Sequence, residues 1–252
     1  MTNKTRADGR GADDLRPVQI EMGIQRYPEG SVLYTCGGTK VLLSASVDEG
    51  VKDFLRGTGR GWVTGEYAMH PRANRQRQRR EGRNGQLGGR THEIQRLIGR
   101  ALRAAVRTEH LGERTITIDC DVLDADGGTR TASVTGGYVA LVVALDGLRK
   151  RGLVAPGVLR DSVSAISVGL CEGSALLDLC YTEDRDAQVD LNLAATSAGD
   201  IIEVQGTAEG APMTRKEHDS LLERAFAGIR KLSKIQEEAL LRAGVAVEAL
   251  RG

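Results

Sequence analysis

Two short turns in this chain place an arginine where it would face an anion. Gly88-Gly89-Arg90 runs straight into a helical pattern, and Ala125-Asp126-Gly127-Gly128-Thr129-Arg130 runs into a second one. A guanidinium presents a fork of donors that matches phosphate oxygens. The unpaired N–H groups of a helix start favour the same charge. In the second turn the glycines let the backbone turn its N–H groups inward, and Thr129 adds a hydroxyl, which is how an anion nest is made. Each turn alone also has a plain reading: Arg90 as a surface arginine, the other as a glycine-rich strand-to-helix turn with Thr129 as helix cap. Two such turns in one chain favour a shared anion. The lysine and spacing of a Walker loop are missing.

Carboxylates gather in DLCYTEDRDAQVD, where Asp178, Glu183, Asp184, Asp186 and Asp190 stand against one arginine. Like charges this close call for compensation, by arginines or by a divalent cation. Mg²⁺ takes one or two carboxylates together with water and phosphate oxygens; a solvated acidic hairpin is the alternative. Asp178, at the tail of an apolar Leu-Leu-Asp-Leu run, is the hardest of the five to place in water. Positive charge gathers in HPRANRQRQRREGRNGQLGGR, residues 70 to 90, with seven arginines and one glutamate. That stretch carries +6 and leaves −5 on the rest of a chain whose formal charge is +1. It suits a grip on a polyanion, or else a solvated loop.

The remaining inventory narrows the chemistry. None of the four histidines lies in a zinc-binding spacing, and neither an HExxH nor a GxSxG motif is present, which disfavours metalloprotease and covalent serine chemistry. Aromatics are only 3% of the chain, so a nucleic-acid grip would rest mainly on phosphates rather than on stacking. Cys36, Cys120, Cys171 and Cys180 show no CxxC spacing and read as reduced, mostly buried thiols of a cytoplasmic protein. The polar N-terminal stretch carries no signal-like apolar run, and no stretch of 18 residues is apolar without charge, so no membrane partner is expected.

Elements able to hold these groups alternate in two blocks. Residues 1–14 are a polar segment expected to order only on contact. In the first block, 15–150, strands are expected at 18–25, 30–36, 39–48, 61–69 and 114–123. A helix with the apolar stripe Ile94, Leu97, Ile98, Ala101, Leu102 and Ala105 should close near Leu111-Gly112. The run from Thr129 is apolar nearly all round and predicts a buried helix, whose Gly136-Gly137 pair implies close packing on a sheet. After a short linker, 151–160, the second block, 161–243, repeats the theme with four strands, the second carrying Asp178 and Cys180 on one face. A capping box, Thr214 with Glu217, then opens a last helix; residues 244–252 form a C-terminal tail. The fold class is α+β, with two β-α blocks.

Several stretches carry a family likeness over almost the full length: GRGADDLRPV, EGSVLYTCGGTKV, GWVTGEYAMHPR, GGRTHEIQRLIGRALRAAV, TITIDCDVLDADGGTRTAS, DSVSAISVG and DIIEVQGTAEGAP. The chain resembles the ribonuclease PH family of 3′-to-5′ phosphorolytic exoribonucleases. The resemblance implies a fold like domain 2 of ribosomal protein S5, with mixed sheets packed against helices. It also implies attack by inorganic phosphate, as co-substrate, on the last phosphodiester of an RNA. Nucleoside diphosphates would be released, and the reaction would run backwards as a nucleotidyltransferase.

By the same resemblance, Arg90, Gly128, Thr129 and Arg130 bind the phosphate. Asp178 and Asp184 are the acidic pair six residues apart, associated with Mg²⁺ and acid catalysis. Arg72, Arg75, Arg77, Arg79 and Arg80, within the stretch 70–83, hold the acceptor end of tRNA precursors. Other RNA 3′ ends are further substrates, and a homohexamer built as a trimer of dimers is the expected assembly. Many relatives read DLDY where this chain has DLCY, so Cys180 replaces an aspartate and is expected to weaken metal use. Inactive relatives exist, and the alternative is a non-catalytic RNA-binding subunit of an exosome-like ring.

Overall fold

The computed structural model describes residues 6–82 and 86–252. Arg83, which belongs to the arginine-rich stretch, and residues 1–5 of the polar N-terminal segment lie outside them. Among the described residues nine strands form two sheets. The first sheet contains β1 (Val18–Met22), β2 (Gly30–Cys36), β3 (Thr39–Glu49), β4 (Trp62–Met69) and β5 (Arg114–Asp124), in the order β1-β2-β3-β5-β4. It is mixed: β4 runs parallel to β5 and all other neighbours are antiparallel. The second contains β6 (Val163–Cys171), β7 (Ser174–Leu177), β8 (Val189–Thr196) and β9 (Ile201–Ala208), all antiparallel in the order β7-β6-β8-β9.

Three long helices, α1 (Gly89–Ala104), α3 (Thr129–Lys150) and α5 (Arg215–Arg242), each touch strands of both sheets; α2 (Thr108–Leu111), α4 (Tyr181–Asp186) and α6 (Val247–Arg251) are short. The all-round apolar character of α3 now has its cause. It packs against β2, β3 and β5 on one side and β6 and β8 on the other, with α1 and α5 alongside. By length and composition it could cross a bilayer, yet 89% of its most apolar window is buried in this core. Gly136 is one place where α3 lies close against the first sheet. A Cβ there would stand 2.6 Å from Leu43 Cδ1 and 2.8 Å from Tyr34 Cβ.

Local signals translate directly at α5. The Thr214 Oγ1 accepts from the Glu217 N–H at 3.2 Å, and Glu217 accepts from the Thr214 N–H at 2.7 Å. Two expectations fail. The helix after Arg90 stops at Ala104, because Val106 is drawn into an antiparallel bridge with Leu159 and Arg107 N–H donates to the Val158 carbonyl at 2.8 Å. The strand expected to carry Asp178 and Cys180 ends at Leu177, since Asp178 adopts φ 55°, in the left-handed region. Strand alternation therefore does not relate residues 178 and 180. Instead Cys180 is the cap of α4, its N–H donating to the Glu183 carboxylate at 3.0 Å. Cys180 thus stands at a helix cap, a position where a carboxylate would accept N–H bonds.

Candidate active site

Each of the two candidate arginines is the second residue of its helix, Arg90 in α1 and Arg130 in α3. Both helices start at a glycine, Gly88 and Gly128, so no side chain caps their first-turn N–H groups. Gly128 stands at φ 65° and Gly127 at φ 75°, which turns the chain sharply enough for α3 to begin facing the site. Thr129 is not the cap; its hydroxyl pairs with the Tyr67 phenol at 2.9 Å, tying the turn to β4. Arg130 is anchored through Nη1, which donates to Gln205 Oε1 at 2.6 Å and lies 3.3 Å from Glu93 Oε2. Those contacts leave Nε and Nη2 for an anion. Arg90 is exposed and makes no hydrogen bond or ion pair among the described residues.

Asp184, on α4, and Asp190, on β8, face these arginines. Burial raises the Asp184 carboxyl, while Arg90 and Arg130 pull it back. Burial and then the charge of Asp184 push Asp190 up to about 6, against Arg130, Arg90 and a hydrogen bond from Asn192 Nδ2 at 3.1 Å. Two carboxylates and two guanidiniums therefore share one field.

Asp178 is enclosed elsewhere. It is 2% exposed, and Arg16 grips it with Nη2 on Oδ1 at 2.7 Å, Nε on Oδ2 at 3.1 Å and its own N–H on Oδ2 at 2.7 Å. Burial works against its charge, but the Arg16 contacts, backed by Arg10, outweigh burial and hold the carboxyl below the ordinary aspartate range. The Cys36 thiol adds a contact at 3.5 Å. Oδ2 takes most of these bonds and Oδ1 only the one from Arg16 Nη2, so arginine supplies the charge compensation that this carboxylate needs. Its backbone is held as firmly: the carbonyl accepts from Arg6 Nη2 at 2.8 Å and Arg10 Nη1 at 3.0 Å. Arg6 also grips Glu183 through Nε at 2.7 Å. The N-terminal segment expected to order on contact is, from Arg6 onward, ordered by these arginines.

The same Arg16 reaches the phosphate turn, donating to the carbonyl of Asp126. Asp126 in turn accepts from Tyr181 N–H at 3.3 Å. A Cβ on Gly127 would meet Leu179 O at 2.7 Å and Tyr181 N at 2.9 Å, so the phosphate turn and the start of α4 lie backbone against backbone. Sequence reasoning missed Arg16, Glu93, Gln205 and the role of Asp190. Arg16 and Gln205 lie inside the stretches GRGADDLRPV and DIIEVQGTAEGAP that carried the resemblance, and Asp190 lay in the acidic segment.

Among the described residues no group of three or more His, Cys, Asp and Glu is arranged around a metal position. Asp184 and Asp190 nevertheless suit a hard divalent cation sharing its shell with phosphate oxygens, since a cation would relieve the repulsion that raises Asp190. The five arginines of the basic stretch, Arg72 to Arg80, lie between β4 and α1.

Family models for the two domains of the 3′ exoribonuclease family match residues 14–145 and 161–228. The chain belongs to the 3′ exoribonuclease family. The first match ends within α3 and the second begins at residue 161, just before β6. Solved structures agree in fold. Rice (Oryza sativa) Rrp46 is 20% identical, over 93% of this chain and 100% of that one, with a TM-score of 0.75. An Archaeoglobus fulgidus exosome with RNA bound to the active site is 22% identical over 92% of each chain, with a TM-score of 0.73.

Proposed function

We propose that this chain is a phosphate-dependent 3′-to-5′ exoribonuclease that trims RNA 3′ ends, tRNA precursors among them. The observation that carries this reading is the convergence of Arg90 and Arg130, each at an uncapped helix start, on Asp184 and Asp190. Phosphorolysis asks a protein mainly for positioning and charge stabilisation. The two arginines and the first-turn N–H groups of α3 would hold inorganic phosphate and screen its charge from the scissile phosphodiester. Asp190, with its carboxyl near 6, is suited to carry the proton that the departing 3′ oxygen needs. Mg²⁺ held through Asp184, its shell completed by water and phosphate oxygens, would supply charge stabilisation to those oxygens. Arg72, Arg75, Arg77, Arg79 and Arg80 would track the RNA backbone.

A second reading, a non-catalytic RNA-binding subunit of an exosome-like ring, draws on the likeness to the archaeal exosome with RNA in its active site. That structure speaks of RNA binding and exosome assembly rather than of turnover, and in either reading a homohexamer is the assembly proposed for this chain. The acidic pair decides between the two. Incubated with a 3′-extended tRNA, the protein is expected to release nucleoside diphosphates with phosphate and nothing without it. Monophosphates in phosphate-free buffer would overturn phosphorolysis. Asp184→Ala should abolish release while RNA binding persists; no release from the parent protein would leave the subunit reading.

A further inference from the structure

We propose that Tyr181 is the platform on which the 3′-terminal base of the RNA stacks, setting the scissile phosphate against the phosphate site. The inference rests on the reading of this site as one that receives an RNA 3′ end, and it names a contact for the base rather than for the backbone. The chain has two phenylalanines, one tryptophan and five tyrosines. Among the described residues only Tyr27, Phe54 and Tyr181 expose a large part of an aromatic ring. Phe54 packs edge-on against Trp62 at 5.5 Å. Tyr27 borders a groove with Glu29, Glu66, Asp119 and Asp121, whose charge would repel RNA. Tyr181 alone stands at the site, 54% exposed, and its phenol oxygen makes no hydrogen bond among the described residues.

Its position is set by chemistry already described. Tyr181 is the first residue of α4 and Asp184 the fourth, so the two side chains lie on one flank of the helix. The backbone of Tyr181 is bonded to Asp126 and abuts Gly127, so the point from which the ring projects is fixed against that turn. A base resting on this ring is thereby placed in register with Arg130 and Asp184. Every base has a π-face, so a stacking contact holds successive 3′ ends without reading their sequence. That suits removal of one nucleotide after another.

A short single-stranded RNA with 2-aminopurine as its 3′-terminal nucleotide tests this in phosphate-free buffer. Binding to the full-length protein should quench the fluorophore. Tyr181→Ala should lose the quench, whereas Tyr181→Phe and Tyr181→Trp keep it. In the presence of phosphate, Tyr181→Ala should raise the KM for RNA about 5- to 100-fold and leave the KM for phosphate unchanged. Unaltered quenching and affinity in Tyr181→Ala would overturn the proposal. So would retained quenching with a shifted sedimentation coefficient, which would assign the ring to a contact between subunits. A protein that quenches through Tyr181 but turns nothing over would uphold the stacking contact while removing phosphorolysis.

Discussion

Two arginine–aspartate groups lie side by side in this molecule and do opposite things. In one, Arg16 wraps Asp178 with three donors, and both are buried. In the other, Arg90 and Arg130 face Asp184 and Asp190 without closing on them, and Asp190 is left with a carboxyl raised to about 6. The closed pair is neutralised by its own contacts and serves as structure, clamping the Gly127-Gly128 turn to the residues before α4. The open group keeps donors and lone pairs unspent, at some cost in stability, which is what the proposed binding of phosphate and a cation would draw on. Identical residue types become scaffold or site according to whether their partners saturate them.

The largest expected effect comes from breaking the closed pair. Asp178→Ala leaves a buried guanidinium unpaired and should lower the unfolding free energy by about 3–5 kcal/mol, read from the urea midpoint. Arg130→Ala should behave in the opposite way. It should lower kcat/KM for phosphorolysis about 10²- to 10³-fold while the urea midpoint moves by less than about 1 kcal/mol. A stable Asp178→Ala protein that fails only in catalysis would erase the distinction between the two groups.

Their pH responses differ in sign. The Asp178 carboxyl is depressed in the fold, so the stability it contributes is full above its unfolded value, near 3.8, and is lost as pH falls through the lower folded value. Asp190 is raised, so its penalty is absent below 3.8, grows between 3.8 and about 6, and is complete above that. In EDTA at pH 7.5, Asp190→Asn should therefore raise stability by about 1–3 kcal/mol. The gain should vanish as the pH is lowered toward 3.8, and a gain of equal size at both ends would remove the titration from its cause. The smallest effects belong to the basic stretch. Each of Arg75, Arg77, Arg79 and Arg80 made neutral should lower the log–log salt slope of tRNA binding by about one where it meets a phosphate. Unchanged slopes would return the stretch to a solvated loop.

Features written into neighbouring residues were legible without a structure. The start of α5 follows from Thr214 and Glu217, three residues apart, which satisfy each other's backbone. The buried course of α3 follows from its all-round apolar surface. Arg90 and Arg130 were visible because a glycine turn, a helix start and an arginine are contiguous, and their geometry is local. Illegible features depend on distant partners. Whether the run through Asp178 continues as a strand hinges on Arg6, Arg10 and Arg16, more than 160 residues away. The end of α1 was misjudged for the same reason: a bridge to Leu159, not helix propensity, stops it.

From its amino-acid order alone this protein acquires its strands and its three long helices, the two glycine-arginine turns and the supply of carboxylates, because hydrophobic period and turn chemistry act within a few residues. What only the tertiary structure decides is which aspartate is spent and which is free. Asp178 and Asp184 are six residues apart in one acidic segment, yet a guanidinium arriving from the far end of the chain neutralises one and leaves the other open. The charge of a carboxylate belongs to its residue type, but its availability depends on what the fold packs around it.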